Sequence, residues 1–355
     1  MKIILTGGGT IGAVSPLLSI KEKIEEQYSG SEFIWIGTKA GIEREIITKE
    51  NIPYYSISAG KLRRYFSWRN FIEPFSLIAG FFQSLRIVRK FDPDLILSVG
   101  GFVSVPVVIA GWLQKKKSII HQQDIKAGLA NKIMAFFAAK ITVTFSSSLK
   151  DFPKKKTVQT GNPARKEIFS GSMDHAISRF HLEKNLPTLL VMGGSLGSLP
   201  INRLISESIE QLVEFCQVIQ VTGKRDFKKI NLKNKSSRYR AFDYLHEELA
   251  DAYAIADLVV SRAGLSTLTE LSALAKPAII IPIPHHQQEE NAKYFSGKKA
   301  VVLFEQETLN KERFVSLVKK ILADSGKLKQ LSENIKGIMP SSAAERFIAV
   351  IKQVV

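Results

Sequence analysis

Three glycine-containing turns each follow a short apolar run in this sequence, and such turns are typical of phosphate or sugar binding. They occupy residues 7–12, 100–104 and 193–197. Because glycine has no side chain, its backbone N–H groups can approach a ligand closely, and a following helix favours negative charge at its N-terminus. The first turn has the spacing G-x-G-x-x-G, which is also found in dinucleotide-binding folds.

Two other functions are compatible with these turns. A nicotinamide site needs an acidic residue at the end of the second strand, but residues 36–39 read Ile-Gly-Thr-Lys, so this function is disfavoured. The third turn spells G-x-S-x-G around Ser195, and Asp257 and His285 follow in the order of a serine hydrolase. A hydrolase therefore stays open, although it leaves the first half of the chain unexplained. A glycine turn without a ligand also stays open, because such turns are weak signals.

Polar residues follow several predicted strands, at the end where parallel sheets bind ligands. Asp124 could be a catalytic carboxylate or the cap of the next helix, and His121 could be functional or a satisfied structural histidine. Glu270, in the first turn of a predicted helix, could accept two hydrogen bonds from a ribose diol or simply complement the helix dipole. The loop at residues 282–292 is rich in donors and acceptors, which suits a polyhydroxylated ligand.

The elements that must position these residues alternate between short apolar strands and helices. Strands are predicted at residues 2–6, 33–36, 54–57, 95–99, 118–121, 141–145, 188–192, 217–221, 258–261, 278–283 and 301–304, with helices between them such as 16–28 and 128–139. Continuous β-rich apolar runs are typical of buried parallel strands. The pattern predicts an α/β protein with two doubly wound, Rossmann-like domains facing a central cleft. We expect an N-terminal domain at 1–163, a C-terminal domain at 164–340, and an amphipathic helix at 341–355 that packs back on the N-terminal domain.

Composition limits the partners. The 355 residues include 50 Lys and Arg against 33 Asp and Glu, a net charge of +17 that favours a negatively charged partner. Cys216 is the only cysteine, which excludes an internal disulfide or a cysteine-based zinc site and fits a reducing, cytoplasmic setting. Asp92-Pro93-Asp94 resembles a metal-chelating D-x-D motif, but it precedes a predicted strand, which is the wrong end of the sheet for a ligand, so a turn is favoured. No other cluster of His, Asp and Glu has metal-ligand spacing, and we expect no metal and no cofactor. No nucleic-acid motif is present, so nucleic acid is not an expected partner.

One segment favours a membrane surface. Between Lys61 and Lys90, aromatic and aliphatic residues are interleaved with seven Lys and Arg. This mixture is typical of interfaces with anionic lipid, although a buried helix with a solvated basic rim would read similarly. No apolar stretch reaches about 18 residues, so any membrane role is expected to be peripheral.

Seven motifs in a fixed order resemble the MurG family, the peptidoglycan N-acetylglucosaminyltransferases of the GT-B fold. They are Gly8-Gly9-Thr10; Gly100 to Ser104; His121 to Asp124 with Ala127-Gly128; Gly161 to Arg165; Gly193 to Gly197; Ala256 to Leu258 through Arg262-Ala263-Gly264 to Thr267 and Glu270; and Gln287-Gln288 with Asn291-Ala292. Each is weak alone, but the ordered set covers nearly the whole chain and is specific. The resemblance implies inverting, metal-independent transfer of N-acetylglucosamine from UDP-N-acetylglucosamine to undecaprenyl-diphosphate-linked N-acetylmuramoyl-pentapeptide, giving lipid II for the cell wall. A related GT-B transferase with another lipid-linked acceptor is an alternative, and the setting implied is the cytoplasmic face of the membrane.

The resemblance also implies residue roles. For the donor, Arg165 with the backbone of Leu245 and His246 would hold the uracil, Glu270 and Thr267 the ribose, Gly194 and Ser195 the diphosphate, and Gln287, Gln288 and Asn291 the sugar. For the acceptor, Gly9, Thr10, Gly12, Gly101, Ser104 and His121 would face the lipid diphosphate.

Three departures from the family pattern make this chain a divergent member. Ala13 stands where the family usually has a histidine proposed as the catalytic base, and Val105 stands where the second turn usually has glycine. The family's H-E-Q-N segment is His-Gln-Gln-Asp at residues 121–124, which places a carboxylate where the family has an amide. We expect Asp124 to be the general base, with its pKa raised in a closing cleft.

Overall fold

The computed structural model describes residues 1–8, 11–39, 41, 43–59, 69–194, 197–231, 236–340 and 342–355, and for residues 11, 13, 69–75 and 231 the backbone alone. The chain forms two compact units. Unit 1 comprises Met1–Ala164 and Pro340–Val355, and unit 2 comprises Arg165–Met339. The C-terminal segment therefore belongs to the same unit as the N-terminus.

Unit 1 contains a parallel seven-stranded sheet in the order β3-β2-β1-β4-β5-β6-β7. Its strands are β1 (Lys2–Thr6), β2 (Glu32–Thr38), β3 (Tyr54–Ile57), β4 (Leu95–Ser98), β5 (Lys117–Gln122), β6 (Lys140–Val143) and β7 (Thr157–Gln159). Its helices are α1 (Ile11–Gln27), α2 (Glu43–Lys49), α3 (Arg69–Phe91), α4 (Ser104–Leu113), α5 (Leu129–Met134) and α14 (Ala343–Ile351). The 3₁₀ turns Ser146–Asp151 and Lys154–Lys156 precede β7.

Unit 2 repeats the design with a parallel six-stranded sheet in the order β10-β9-β8-β11-β12-β13. Its strands are β8 (Thr188–Met192), β9 (Gln217–Val221), β10 (Tyr239–Phe242), β11 (Leu258–Ser261), β12 (Ala278–Ile280) and β13 (Val302–Leu303). Its helices are α6 (Met173–Phe180), α7 (Leu199–Leu212), α8 (Lys224–Asn231), α9 (Glu248–Ile255), α10 (Leu265–Ala273), α11 (Gln287–Gly297), α12 (Lys311–Leu322) and α13 (Ser325–Lys336), with 3₁₀ turns at Lys166–Ser170 and Gln306–Thr308.

The central strands are buried on both faces by helices, which explains their apolar sequences. Every residue of β4, β8 and β11 is buried. In unit 1 the aromatic ring of Phe347 on α14 enters the cluster that includes Leu5 and Trp35. Burying one such large side chain contributes about 1.5–3 kcal/mol, so α14 is held to unit 1 by its apolar face.

The doubly wound α/β prediction is confirmed, with two differences in detail. Neither β7 nor β10 was among the predicted strands. Both lie at or next to a sheet edge and are only partly buried, so they lack the continuous apolar run that marks a central strand. No helix among the described residues has the length and hydropathy needed to cross a bilayer.

Candidate functional site

Both sheets reverse their strand order at one point, and ligands of doubly wound sheets bind there, beyond the carboxyl ends of the strands. In unit 1 the reversal lies between β1 and β4, and in unit 2 between β8 and β11. The turns at residues 7–12, 100–104 and 193–197 directly follow β1, β4 and β8. The topology therefore brings the glycine turns to the two expected binding edges.

In unit 2, two residues separated by 105 positions form an ion pair near this edge. Arg165 Nε and Nη2 donate to Glu270 Oε1 at 3.0 and 2.8 Å. The hydroxyl of Tyr253 donates to Glu270 Oε2 at 2.9 Å. Both oxygens of the carboxylate therefore have hydrogen-bond partners. The group is also shielded from solvent, since Glu270 is only 5 % exposed and Tyr253 is buried.

The pKa values of these partners reflect the carboxylate. Burial disfavours the Arg165 cation, but the charge and hydrogen bonds of Glu270 outweigh it, so the pKa of Arg165 lies above its ordinary value. Burial and the neighbouring Glu270 charge both raise the pKa of Tyr253 well above its ordinary value. Tyr253 therefore stays a neutral hydrogen-bond donor and Arg165 stays a cation.

The third glycine turn leaves open space at one position. Gly194 has a φ of +87°, and a β-carbon built there would meet no atom within 4 Å. By contrast, β-carbons at Gly193 and Gly197 would collide with backbone, at Ser198 N and at the Thr222 carbonyl. Gly194 thus offers backbone that a ligand can approach. At Gly193 and Gly197, by contrast, the close packing of backbone requires glycine. Ser195 lies outside the described residues.

The residues predicted to hold the sugar lie around the N-terminus of α11. Gln288 Oε1 accepts from the Ile283 N–H at 3.3 Å, so this side chain closes the loop after β12. The side chain of Asn291 is buried and donates to the Ala263 carbonyl at 3.2 Å. Gln287 is half-buried in the first turn of α11. Two of the three predicted residues therefore already organise this edge.

The remaining donor residues occupy two helix starts in unit 2. Thr267 is half-buried in the first turn of α10, one turn before Glu270. Leu245 is buried, and the His246 N–H donates to Glu248 Oε2 at 3.0 Å. A base bound at this backbone would use the Leu245 groups or displace that bond.

In unit 1, the first two glycine turns pack directly against each other. A β-carbon at Gly101, whose φ is +88°, would lie 3.0 Å from the Gly8 carbonyl oxygen. The buried Ser104 hydroxyl donates to the Gly100 carbonyl at 2.8 Å and lies 3.3 Å from Thr6 Oγ1. Gly12 lies in the first turn of α1, and Gly9 and Thr10 lie outside the described residues.

His121 is buried and both of its ring nitrogens have partners inside unit 1. Nδ1 lies 2.9 Å from Thr142 Oγ1, and Nε2 lies 3.0 Å from Asn162 Oδ1. Burial lowers the pKa of His121 to about 4, although these hydrogen bonds partly oppose the effect. His121 is therefore a neutral histidine with both nitrogens hydrogen-bonded, as expected if its role is structural.

Asp124 is half-buried on a loop that one side chain organises. Gln122 Nε2 donates to the carbonyls of Asp124 and Lys126 at 2.7 and 3.2 Å, and its Oε1 accepts from Asn131 Nδ2 at 2.7 Å. The alternative that Asp124 caps the next helix is wrong, because α5 begins with Gly128 at its N-cap. Sequence reasoning missed Gln122, whose role depends on contacts two to nine residues away.

The position of Asp257 argues against the hydrolase triad of Ser195, Asp257 and His285, of which Ser195 lies outside the described residues. Asp257 exchanges backbone and side-chain hydrogen bonds with Thr188, at the amino ends of β11 and β8. The turn containing Ser195 follows the opposite end of β8, roughly 13–17 Å away for a strand of this length. His285 is an exposed residue of the loop after β12.

Comparison with known proteins decides the family. A model described as the glycosyltransferase family 28 N-terminal domain matches residues 3–143, and one for the family 28 C-terminal domain matches residues 188–349. A Bacillus cereus protein named UDP-N-acetylglucosamine–N-acetylmuramyl-(pentapeptide) pyrophosphoryl-undecaprenol N-acetylglucosamine transferase 2 is 41 % identical over 90 % of both chains. A transferase of the same name from Clostridium tetani is 42 % identical over 88 % of both chains. The chain belongs to the MurG family.

Structural comparison supports the same fold. The crystal structure of Acinetobacter baumannii MurG has a TM-score of 0.75 at 22 % identity and 99 % coverage of both chains. A UDP-N-acetylglucosamine 2-epimerase from Neisseria meningitidis, bound to UDP-N-acetylglucosamine, has a TM-score of 0.68 at 12 % identity, covering 99 % of this chain and 100 % of its own. At these identities the likeness concerns the fold, which confirms the GT-B prediction for this MurG-family chain.

The structure adds an exposed apolar surface to unit 1 of this family member. We call Ile78, Phe82, Trp112, Leu113 and Phe136 the aromatic surface; each is more than half exposed, and Phe136 is 79 % exposed. The rings of Trp112 and Phe137 meet edge to face at 5.2 Å, which joins the end of α4 to the end of α5. Gln114 Nε2 donates to the Leu85 carbonyl at 3.1 Å, which joins α4 to α3. Residues 61–68 of the predicted membrane segment lie outside the described part of the chain.

Basic residues lie on or near the elements that carry the aromatic surface. Lys156 Nζ donates to the Phe136 carbonyl at 3.3 Å. Exposed basic residues on or beside the same helices are Arg86, Arg89, Lys90, Lys115, Lys117, Lys132, Lys154 and Lys155. Unit 1 carries 25 Lys and Arg against 13 Asp and Glu, a net +12, whereas unit 2 carries 25 against 20, a net +5. Most of the excess positive charge of +17 therefore lies in unit 1.

The structure also supplies the carboxylate that the end of β2 lacks in sequence. Glu43 Oε1 accepts from the Thr38 N–H at 3.2 Å and from Thr38 Oγ1 at 2.9 Å, and Tyr54 Oη lies 3.4 Å away. A β-carbon at Gly8 would lie 3.0 Å from this oxygen. Because Glu43 is fully buried against Thr38, it closes the turn after β2. The sequence analysis looked for an acidic residue at the end of the strand itself, and Glu43 lies five residues beyond that end.

Proposed function

We propose that this protein transfers N-acetylglucosamine from UDP-N-acetylglucosamine to N-acetylmuramyl-(pentapeptide) pyrophosphoryl-undecaprenol, the reaction that the names of its relatives describe. The observation that carries this proposal is 41 % identity over 90 % of the chain to a transferase of that name. The polar edge of unit 2 supports it, because an ion-paired carboxylate, an open glycine and an amide-rich helix start suit a nucleotide sugar. The product would serve peptidoglycan synthesis.

For the donor, we assign the ribose to Glu270. Its Oε1 accepts two hydrogen bonds from Arg165 and its Oε2 accepts one from Tyr253. A carboxylate offers about four acceptor positions, so one position remains, on Oε2. Glu270 would therefore bind one ribose hydroxyl strongly and not both. Arg165, predicted to hold the uracil, would also orient this carboxylate.

We assign the diphosphate to the turn between β8 and α7. Gly194 presents open backbone, and α7 directs its N-terminal N–H groups and its dipole toward that turn. As the bond between the anomeric carbon and the diphosphate breaks, negative charge grows on the leaving UDP. Preorganised N–H groups stabilise that charge more in the transition state than in the ground state. Gln287, Gln288 and Asn291 would orient the sugar at the start of α11.

For the acceptor, we assign the general base to Asp124. The acceptor hydroxyl oxygen would attack the anomeric carbon from the face opposite UDP, and its proton would pass to the Asp124 carboxylate. Two observations support this assignment: Ala13 carries no proton acceptor, and Gln122 holds the loop on which Asp124 is half-buried. A positioned carboxylate of this kind contributes about 100-fold or more to a rate.

We assign the aromatic surface and the basic residues on or near its elements to docking on anionic lipid, as a peripheral contact on the cytoplasmic face. Exposed aromatic rings favour the headgroup region, and each nearby Lys or Arg adds on the order of 1 kcal/mol at an anionic surface. The net +12 of unit 1 supports the placement of the lipid-linked acceptor on that unit. The proposed membrane contact would therefore include the ends of α4 and α5 in addition to the predicted segment between Lys61 and Lys90.

The decisive experiment incubates the protein with labelled UDP-N-acetylglucosamine, with and without a lipid I analogue in anionic vesicles. We expect label in a lipid-linked disaccharide only when the analogue is present. An epimerised nucleotide sugar, formed without acceptor, would instead indicate the chemistry of the structurally similar epimerases. Binding of UDP with neither product would contradict the transferase proposal. Transfer to a different lipid-linked hydroxyl, and not to the analogue, would select the alternative acceptor.

A further inference from the structure

A buried arginine lies next to the proposed diphosphate site and has only neutral partners among the described residues. Arg262 follows β11 at the carboxyl edge of the sheet, beside β8, and is 7 % exposed. Nε and Nη2 donate to Ser198 Oγ at 3.1 and 2.7 Å, Nη2 also donates to Gln306 Oε1 at 2.6 Å, and Nη1 donates to the carbonyls of Ile281 and Pro282 at 3.0 and 2.9 Å. A guanidinium has five N–H groups, so its hydrogen bonding is complete while its charge is not balanced.

The electrostatics of Arg262 differ from those of Arg165. Burial lowers the pKa of Arg262 to about 10, and no nearby charge raises it. Arg262 is therefore a cation at neutral pH. Burying a charge without an opposite charge is costly, so the edge of unit 2 holds positive potential that a bound anion would neutralise.

Ser198 connects this cation to the third glycine turn. Its hydroxyl receives two of the Arg262 hydrogen bonds, and it is the N-cap residue of α7. Its backbone nitrogen packs against Gly193, where a β-carbon would collide with it. The guanidinium thus holds the residue at which the turn becomes a helix, and its charge adds to the positive end of the α7 dipole.

We propose that Arg262 is a positioning residue for the donor diphosphate: it fixes the turn through Ser198, and its buried charge is balanced when a diphosphate binds, without direct contact. This inference rests on the donor site proposed above. It assigns Arg262 to the phosphate part of the ligand and not to the nucleoside. Removing the charge should therefore weaken UDP binding much more than uridine binding.

Unit 2 offers a matched control at the opposite edge of the same sheet. Lys276 precedes β12, and its Nζ donates to the carbonyls of Ala254 and Ala256, each at 3.0 Å. Burial lowers the pKa of Lys276 as well. A substitution there also removes a partly buried cation from unit 2, but far from the glycine turn.

The test measures the affinities of uridine and UDP by calorimetry for the wild type, Arg262→Gln, Arg262→Lys, Ser198→Ala and Lys276→Met. For Arg262→Gln we expect UDP affinity to fall about tenfold or more, with uridine affinity changed less than about threefold. Arg262→Lys keeps the charge and should retain most of the preference for UDP over uridine. Ser198→Ala should lose part of that preference, and Lys276→Met should keep it whole.

The outcomes separate this inference from the function on which it rests. If the wild type binds neither uridine nor UDP, the donor site itself is wrong. If the wild type binds UDP and the preference over uridine is unchanged in Arg262→Gln, the role of Arg262 is overturned. Should Arg262→Gln fail to fold by circular dichroism, Arg262→Lys decides, because a folded lysine variant that loses the preference also overturns the role of the charge.

Discussion

The two units share one topology but place different chemistry at corresponding edges. In both, a glycine turn follows the first strand of the sheet, and the strand order reverses beside that strand. At the edge of unit 1, Ser104 and His121 are buried, neutral and hydrogen-bonded within the unit. At the edge of unit 2, Arg165, Glu270 and Arg262 are charged. The topology decides where a ligand can bind, and the side chains at that place decide which ligand.

The difference extends to the outer surface. Unit 1 carries the aromatic surface and a net +12, whereas unit 2 has a nearly balanced charge of +5. The same arrangement of strands thus carries a charged edge in one unit and an exposed apolar surface with many basic residues in the other. Four experiments test this contrast, beginning with the largest expected free-energy change.

The buried, neutral state of His121 predicts a pH-dependent stability. The pKa of His121 falls from an ordinary 6.5 to about 4 in the folded protein. Between these values the unfolded chain binds the proton and the folded protein does not, so stability is lost as the pH falls from 6.5 to 4. The full loss is about 3 kcal/mol. Urea unfolding across this range should show that loss in the wild type.

The variants isolate the histidine from other titrating groups. His121→Gln should remove this pH dependence, because it cannot titrate. His175→Gln, which replaces an exposed histidine of α6, should leave the dependence as in the wild type. An equal pH dependence in His121→Gln would show that His121 is not held neutral in the folded protein.

The proposed role of Asp124 as general base predicts a lower turnover with no change in UDP affinity. Asp124→Asn should lower the turnover of the transfer reaction about 100-fold or more, because the amide cannot accept the proton. UDP affinity should be unchanged, since Asp124 lies in unit 1 and the proposed donor site lies in unit 2. Asp151→Asn, at the end of a 3₁₀ turn in the same unit, serves as the control. A normal turnover in Asp124→Asn would remove this residue from the mechanism.

The charged edge of unit 2 predicts the reverse pattern. Glu270→Gln should weaken UDP binding about 30-fold, because it removes the ribose acceptor and leaves Arg165 without its anion. Tyr253→Phe should weaken it less, about fivefold, since one hydrogen bond to the carboxylate is lost. Calorimetry with 2′-deoxy- and 3′-deoxy-UDP should show that only one hydroxyl depends on Glu270. Equal dependence on both would contradict the single remaining acceptor position, and Glu312→Gln on α12 is the control.

The surface contrast predicts the smallest effects per residue. Trp112→Ser and Phe136→Ser should each weaken binding to vesicles with anionic lipid by about 1 kcal/mol, or roughly fivefold. Phe169→Ser removes an aromatic side chain that is comparably exposed in unit 2 and should have no effect. Sedimentation over a salt series measures the change. Equal losses from both units, or no binding at low salt, would argue against docking through unit 1.

Much of this architecture was predictable because its signals are local. The central strands are continuous apolar runs, so the boundaries of β1, β8, β9 and β11 agree with the prediction, and those of the edge strand β3 agree as well. The glycine turns were readable because each follows such a run. The departures at Ala13 and Asp124 were also visible in the sequence, and the role of Asp124 as base stays a prediction.

Other features depended on contacts that no local pattern records. β10 is only partly buried, so its sequence lacks an apolar run. Glu43 reaches back to Thr38, and Gln122 reaches forward to Asn131. Each of these hydrogen bonds forms only because the intervening loop folds back and brings the two side chains together.

The sequence by itself determined the alternating strands and helices and the glycine turns, because these depend on residues close together in the chain, and the order of its motifs indicated the MurG family. Only the tertiary structure decided that Glu270 meets Arg165 and Tyr253, that His121 is sealed and neutral, and that Arg262 is a cation with neutral partners. The physical reason is that charge state and hydrogen-bond capacity depend on burial and on partners brought together across the fold, up to 105 residues apart.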